Sequence, residues 1–84
     1  MNYFVYAIYN KEHNKIYIGQ TSNLEERLEL HNKKIFNNSY TSRYNGKWVL
    51  IYFEKVNNRT NALVREKQLK SFQGRQFIKK CIPR

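Results

Sequence analysis

The alternation of apolar and polar positions predicts a β-hairpin at the start of the chain. Residues 3–9 are rich in Tyr, Phe, Val and Ile and alternate in the way that is typical of a strand. Residues 10–14 are polar, and residues 15–19 form a second run of strand type. We therefore expect two antiparallel strands joined by a five-residue loop.

Helical signals follow the hairpin. Ser22 and Glu25 have capping-box spacing, which predicts a helix from there to about residue 33 or 34, and residues 37–46 predict a polar loop. Residues 47–54 are the most apolar segment and predict a third strand, in the centre of the sheet. A second helix is expected from about residue 60 or 61 to residue 72, ended by Gly74 and followed by a basic tail with one or two further helical turns.

This order of elements, β-β-α-β-α, predicts an α+β fold: a small three-stranded antiparallel sheet flanked by helices. No internal repeat or low-complexity linker interrupts the chain, and 84 residues suffice for one core. We therefore expect residues 1–84 to form a single domain.

Polar residues interrupt the apolar stripe of the first predicted helix. Helical spacing aligns Leu24, Leu28, His31 and Ile35, and Arg27 borders this stripe. The polar interruption would be explained by an ion-paired Arg27 and by a hydrogen-bonded His31 at the edge of the core, since long cationic side chains often extend from apolar surfaces into water. A functional site is the alternative.

Glu66 interrupts the second helix in the same way. It shares a face with Ala62 and Leu69, and Leu63 and Phe72 adjoin that face. An unpaired carboxylate there would cost stability, so it needs a cation: Arg27, a lysine or a metal. An interhelix salt bridge to Arg27 and a functional role are both compatible with this pattern.

The hairpin supplies two tyrosines. Tyr6 and Tyr17 are expected roughly opposite each other, with Gly19 freeing the backbone for a close approach. They can meet Arg27, His31 and Glu66 only if both helices lie on the same face of the sheet. Such a set would form a one-metal phosphodiester site, with the metal on Glu66, the phosphate on Arg27, and a hydroxyl or imidazole activating water.

Composition narrows the classes of partner and site. Sixteen Lys and Arg against six Glu give a net charge of +10, which indicates a polyanion partner, with nucleic acid ahead of a membrane surface. The single Cys and two His exclude a Cys-based zinc site and a His-only cage, and the lack of Asp disfavours a two-metal site. No apolar stretch reaches the ~20 residues of a membrane helix, and the N-terminus lacks a basic leader region, so we expect a cytoplasmic protein without membrane contact.

Four blocks of sequence together resemble the GIY-YIG nuclease domain. They are Val5-Tyr6, Tyr17-Ile18-Gly19, residues 23–32 with Arg27 and His31-Asn32, and residues 65–70 around Glu66. The likeness extends from about residue 3 to residue 79 and is greatest to small stand-alone bacterial members, which are similar to the excinuclease C and Slx-type nuclease domains. The order and spacing of the four blocks make the resemblance specific, whereas the Tyr-Ile-Gly triplet alone would be a weak signal.

The resemblance implies a metal-dependent DNA endonuclease. Carried over by position, Tyr6 and Tyr17 are the motif tyrosines, Arg27 binds phosphate, Glu66 is the sole protein ligand of Mg²⁺ or Mn²⁺, and His31 matches a histidine of some relatives. The sequence departs from the family pattern at Phe4, which replaces a motif glycine, at Gln20, which replaces a lysine, and after Glu66, where Gln73 or Gln76 would have to replace an asparagine. The general base is left open between Tyr6, as a phenolate, Tyr17 and His31.

The remaining cations are candidates for carrying the DNA: Lys33, Lys34, Arg43, Lys67, Lys70, Arg75, Lys79 and Lys80. A non-catalytic nucleic-acid-binding module is the main alternative, with Tyr40, Tyr44 or Trp48 stacking bases, although Trp48 fits the core better. A subunit that docks an acidic protein is a third. The sequence leaves open the DNA structure or sequence recognised, the pathway, and whether the chain forms a homodimer or joins a larger protein.

Overall fold

The computed structural model describes residues 2–33, 44 and 46–83. The described residues contain three strands and three helices in the order β-β-α-β-α-α. These are β1 (Tyr3–Asn10), β2 (Lys15–Thr21), α1 (Leu24–Asn32), β3 (Trp48–Val56), α2 (Arg59–Lys70) and α3 (Phe72–Lys79). The predicted α+β class and its antiparallel sheet are confirmed.

β1 is the central strand of the sheet, whose order is β2-β1-β3. Four successive β1 residues, Val5, Tyr6, Ala7 and Ile8, are at most 2% exposed, so this strand is covered on both faces. The prediction that the third strand is central was wrong. β3 is longer and apolar, but it lies at the edge and leaves Phe53 53% exposed.

The hairpin differs from its prediction in register. Asn10 pairs with Lys15, so the loop has four residues, 11–14, rather than five, and Asn14 takes a left-handed conformation (φ 53°) that asparagine tolerates. Tyr6 pairs with Gly19, and Tyr17 pairs with Ile8. The two tyrosines were predicted to lie roughly opposite each other, and the register makes them diagonal neighbours on one face of the sheet.

Helices cover both faces of the sheet. On the α1 face, the side chains of α1 pack with those of the sheet: Leu24 and Leu28 against Tyr6, Ile8, Tyr17 and Trp48. On the α2–α3 face, the other helices contribute to a second cluster: Ala62, Leu69 and Ile78 against Val5, Ala7 and Ile18. The candidate residues were expected to meet only if both predicted helices shared one face, and these helices lie on opposite faces.

The first helix begins one residue later than the capping-box pattern predicted. Asn23 is the N-cap, and its side chain accepts the Glu26 N–H at 3.1 Å. Thr21 Oγ1 in turn accepts the Asn23 N–H at 3.1 Å across a bend at Ser22. β2 thus continues to Thr21, and the cap moves from Ser22 to Asn23.

Gly74 lies inside a helix and does not end one. α2 ends at Lys70, and the Ser71 hydroxyl accepts the Gly74 N–H at 3.2 Å to start α3. A Cβ at Gly74 would lie 2.3 Å from the Gln68 carbonyl oxygen, so this glycine allows α3 to cross close to α2. Leu63 and Phe72, expected beside the packing face, are 47% and 77% exposed.

Candidate active site

The centre of the candidate site is a buried hydrogen bond between a strand and a helix. Tyr6 Oη on β1 lies 2.9 Å from Nε2 of His31, which is in the last turn of α1. The two side chains are 2% and 3% exposed. Helical spacing places His31 on the same side of α1 as Leu24 and Leu28, so the packing of α1 on the sheet brings its imidazole to Tyr6.

Tyr17 completes an aromatic group with these two residues. Its ring centroid lies 5.0 Å from that of His31 and 6.3 Å from that of Tyr6. Gly19 allows this arrangement, because a Cβ there would lie 2.9 Å from both Tyr6 Oη and Tyr17 Cε2. The expected close approach at Gly19 is therefore made by the two motif tyrosines.

The electrostatics of Tyr6 link the remaining candidates to this group. Burial raises the pKa of Tyr6 far above its ordinary value of about 10, and Tyr17 adds to that rise. Arg27 acts in the opposite direction and lowers the pKa of Tyr6, whereas Glu66 raises it further. Arg27 from α1 and Glu66 from α2 therefore both lie within electrostatic reach of one phenol, although their helices cover opposite faces.

The carboxylate of Glu66 has a lysine partner. Lys70 Nζ lies 2.8 Å from Glu66 Oε2, and the Glu66 side chain is only 20% exposed. From the sequence, the cation next to Glu66 was expected to be Arg27, a lysine or a metal. The structure provides a lysine, one helical turn away. The i,i+4 spacing was the signal for this pair.

The residues present fit a divalent cation held by one carboxylate. Among the described residues, no three His, Cys, Asp or Glu side chains are grouped as a metal cage. Mg²⁺ suits such a place, because it is usually held by one or two carboxylates and keeps water or phosphate oxygens as its other ligands. Glu66 would supply the oxygen ligand, and its carboxylate already accepts a hydrogen bond from the cationic Lys70.

The predicted DNA-binding cations are spread over α1, α2 and α3. Lys33 pairs with Glu29 at 3.8 Å on the surface of α1. Five more are exposed: Lys67, Lys70, Arg75, Lys79 and Lys80. Lys34 and Arg43 lie outside the described residues.

Over the described chain, none of the helices has the length and apolarity needed to cross a bilayer.

Asn32 belongs to one of the blocks that resemble the family, but the sequence did not reveal its positioning role. Its side chain donates to the Trp48 carbonyl oxygen at 3.0 Å and accepts the Trp48 N–H at 2.8 Å. This pair of bonds fixes the end of α1, and so His31, to the first residue of β3. Trp48 itself is 0% exposed, which excludes it as a stacking surface for bases and confirms its place in the core.

Comparison with known proteins identifies the family. The model of the GIY-YIG catalytic domain matches residues 2–79. The solution NMR structure of the UPF0213 protein BH0048 from Bacillus halodurans superposes with a TM-score of 0.54 at 22% identity, over 95% of this chain and 84% of that one, and it shows a shared fold. None of the curated protein sequences matches. The match of the catalytic-domain model over nearly the whole length shows that this chain belongs to the GIY-YIG family.

Proposed function

We propose that the protein is a metal-dependent DNA endonuclease and that residues 1–84 form its nuclease domain. The observation that supports this most is the convergence on Tyr6: a hydrogen bond between its hydroxyl and His31, and the opposed charges of Arg27 and Glu66. A phosphodiester hydrolase needs a proton acceptor, a cation for the phosphate and an anchor for a metal. These four side chains supply all three.

Tyr6 is proposed to act as a neutral proton relay. Its raised pKa argues against a phenolate that forms before the reaction, since Arg27 lowers the pKa of Tyr6 by less than burial raises it. As water attacks the phosphorus, Tyr6 Oη would accept the water proton while its own proton passes to Nε2 of His31, 2.9 Å away. The relay needs the neutral tautomer of His31 that carries its proton on Nδ1. Tyr17 would orient the water.

Arg27 would bind the non-bridging phosphate oxygens. Each charge-assisted contact of this kind contributes about 2–4 kcal/mol in the transition state. A divalent cation, Mg²⁺ or Mn²⁺, held by Glu66 would supply Lewis-acid stabilisation of the leaving oxygen. Lys70 would leave the carboxylate when such a cation binds, and it would then be available to a nearby phosphate.

The substrate is proposed to be DNA of particular structure, or DNA of weakly selected sequence. A domain of this size offers little surface for direct base recognition besides its catalytic groups. Repair, recombination and mobile-element processes all supply branched or nicked DNA of this kind. Cleavage measured across duplex, nicked, flap and four-way DNA would define the preference.

The test compares Glu66→Gln with Glu29→Gln on a nicked DNA substrate in Mg²⁺. Glu29 lies on the exposed surface of α1, so its variant should cleave as the wild type does. Glu66→Gln should cleave about 10²–10³ times more slowly, which is the usual cost of losing one charge-stabilising group. Undiminished cleavage would remove Glu66 from the mechanism. Salt-sensitive DNA retention without product in the wild type would instead support the non-catalytic binding module.

A further inference from the structure

A cationic cleft lies between the start of β2 and the junction of α2 and α3. Its volume is about 510 Å³. Four of its lining residues are cations, Lys15, Lys70, Arg75 and Lys79, and the described lining contains no carboxylate. Three isoleucines form the apolar remainder: Ile16, Ile18 and Ile82. A cleft with cations around an apolar floor suits a flexible polyanion better than a compact anion such as free phosphate.

An exposed aromatic side chain continues this row of cations. Phe72 is 77% exposed at the first residue of α3. Arg75 and Lys79 follow it at i+3 and i+7, so the three side chains share one face of the helix. At a rise of about 1.5 Å per residue, Phe72 and Lys79 are about 10 Å apart along that face.

The cleft also adjoins the candidate active site. Lys70 lines the cleft and holds the carboxylate of Glu66 at 2.8 Å. Arg75 is fixed at the same junction, since its Nε donates to the Lys70 carbonyl oxygen at 3.0 Å. A strand lying in the cleft would therefore run past the proposed metal ligand.

We propose that this cleft binds a single-stranded arm of the DNA substrate, with one unpaired base stacked on Phe72. The inference rests on the proposed nuclease function and names its substrate class. The cations would follow the phosphates of this strand over the roughly 10 Å between Phe72 and Lys79. Stacking on Phe72 would need a base with an exposed face, and the bases inside a duplex do not offer one because they are stacked on each other. The enzyme would thus prefer flaps and overhangs to blunt duplexes.

The experiment measures DNA binding in EDTA, where cleavage is absent, by fluorescence anisotropy of labelled probes. The probes are an oligothymidylate, an abasic chain of the same length and a blunt duplex. Phe72→Leu should bind the oligothymidylate about five- to a hundredfold more weakly than the wild type, which is the usual range for one lost stacking contact, and should bind the duplex unchanged. The wild type should prefer thymidylate to the abasic chain, and Phe72→Leu should lose that preference.

Phe53→Leu is the matched control. Phe53 is 53% exposed on β3, and its ring meets Phe4, which lies on the α1 face away from the cleft. Its variant should bind all three probes as the wild type does. The inference would be overturned if Phe72→Leu bound the oligothymidylate as tightly as the wild type does. It would also be overturned if Phe72→Leu lost as much affinity for the duplex as for the oligothymidylate, or if Phe53→Leu lost as much affinity for the oligothymidylate as Phe72→Leu does. Displacement of the oligothymidylate by a polyglutamate peptide would overturn it in favour of an acidic protein partner.

The two proposals fail separately. If the wild type cleaves duplex DNA in Mg²⁺ but Phe72→Leu binds strands normally, the stacking inference falls and the nuclease stands. If strand binding depends on Phe72 but no DNA substrate is cleaved, the nuclease proposal falls and the cleft remains a strand-binding site. Thermal unfolding of each variant confirms that its fold is intact, and both substitutions are at exposed positions.

Discussion

At the scale of single residues, the candidate site is organised around a phenol that is both buried and hydrogen-bonded. The sequence predicted the identities of Tyr6 and His31 as site residues, but only the structure shows their direct contact at 2.9 Å. That contact changes the chemistry expected of Tyr6. A buried phenol next to an imidazole passes a proton on more easily than it stores a negative charge.

Tyr6→Phe should change the alkaline stability of the protein. The unfolded chain loses the Tyr6 proton near pH 10, whereas burial keeps the folded phenol protonated above that pH. The unfolded state then binds fewer protons, so stability is complete below pH 10 and falls by about 1.4 kcal/mol per pH unit above it. Urea unfolding from pH 8 upward should show this fall in the wild type and a shallower one in Tyr6→Phe. Identical slopes would contradict the burial effect.

Gly19→Ala should impair activity more than stability. Its Cβ would meet Tyr6 Oη and Tyr17 Cε2 at 2.9 Å, so both rings must move and the hydrogen bond to His31 is stretched. We expect cleavage to fall about 10²-fold, because small misplacements of reacting groups have effects of that size. Adding Tyr6→Phe removes one clashing atom and should restore part of the thermal stability without restoring cleavage. Full activity in Gly19→Ala would show that the rings are not held by this contact.

At the scale of elements, the sequence predicted best those strands and helices whose positions are decided by the burial of apolar residues alone. The strands of the hairpin, β3 and both main helices are where their patterns placed them. The boundaries were less predictable, since Thr21 competes for the Asn23 N–H and moves the first cap. The central position of β1 was also missed, because a long apolar run is compatible with either place in a sheet.

Gly74→Ala should destabilise the protein, although the same change stabilises most helices. Alanine is ordinarily about 1 kcal/mol better than glycine within a helix. Here its Cβ would lie 2.5 Å from the Leu69 Cα and 2.3 Å from the Gln68 carbonyl oxygen, and backbone atoms cannot turn aside as side chains do. We expect a loss of about 1–3 kcal/mol in urea unfolding. Gln76→Ala, an exposed change in the same helix, should be neutral or slightly stabilising. A stabilised Gly74→Ala would refute the close crossing.

At the scale of the whole molecule, the candidate site lies where groups from both faces of the sheet meet. From the sequence, convergence of the candidate residues required α1 and α2 to share one face. The helices lie on opposite faces, and Glu66 still raises the pKa of Tyr6. The spacing of apolar residues determines which side of a helix is buried, but not which face of the sheet that helix covers. The pairing of Glu66 with Lys70 was within reach of the sequence, since it depends only on local helical spacing.

The net charge of +10 should act on DNA through particular cations rather than uniformly. Lys79 lines the cationic cleft, whereas Lys55 is an exposed lysine on β3 that pairs in register with Phe4. Each phosphate contact contributes about 0.7–0.9 to the slope of log affinity against log salt. Lys79→Gln should lower that slope by about this amount between 50 and 200 mM salt, a range over which such contacts are readily measured. Lys55→Gln should leave the slope unchanged. Anisotropy titrations in EDTA measure both variants, and equal slope changes would mean that the DNA is held by diffuse charge and not by the cleft.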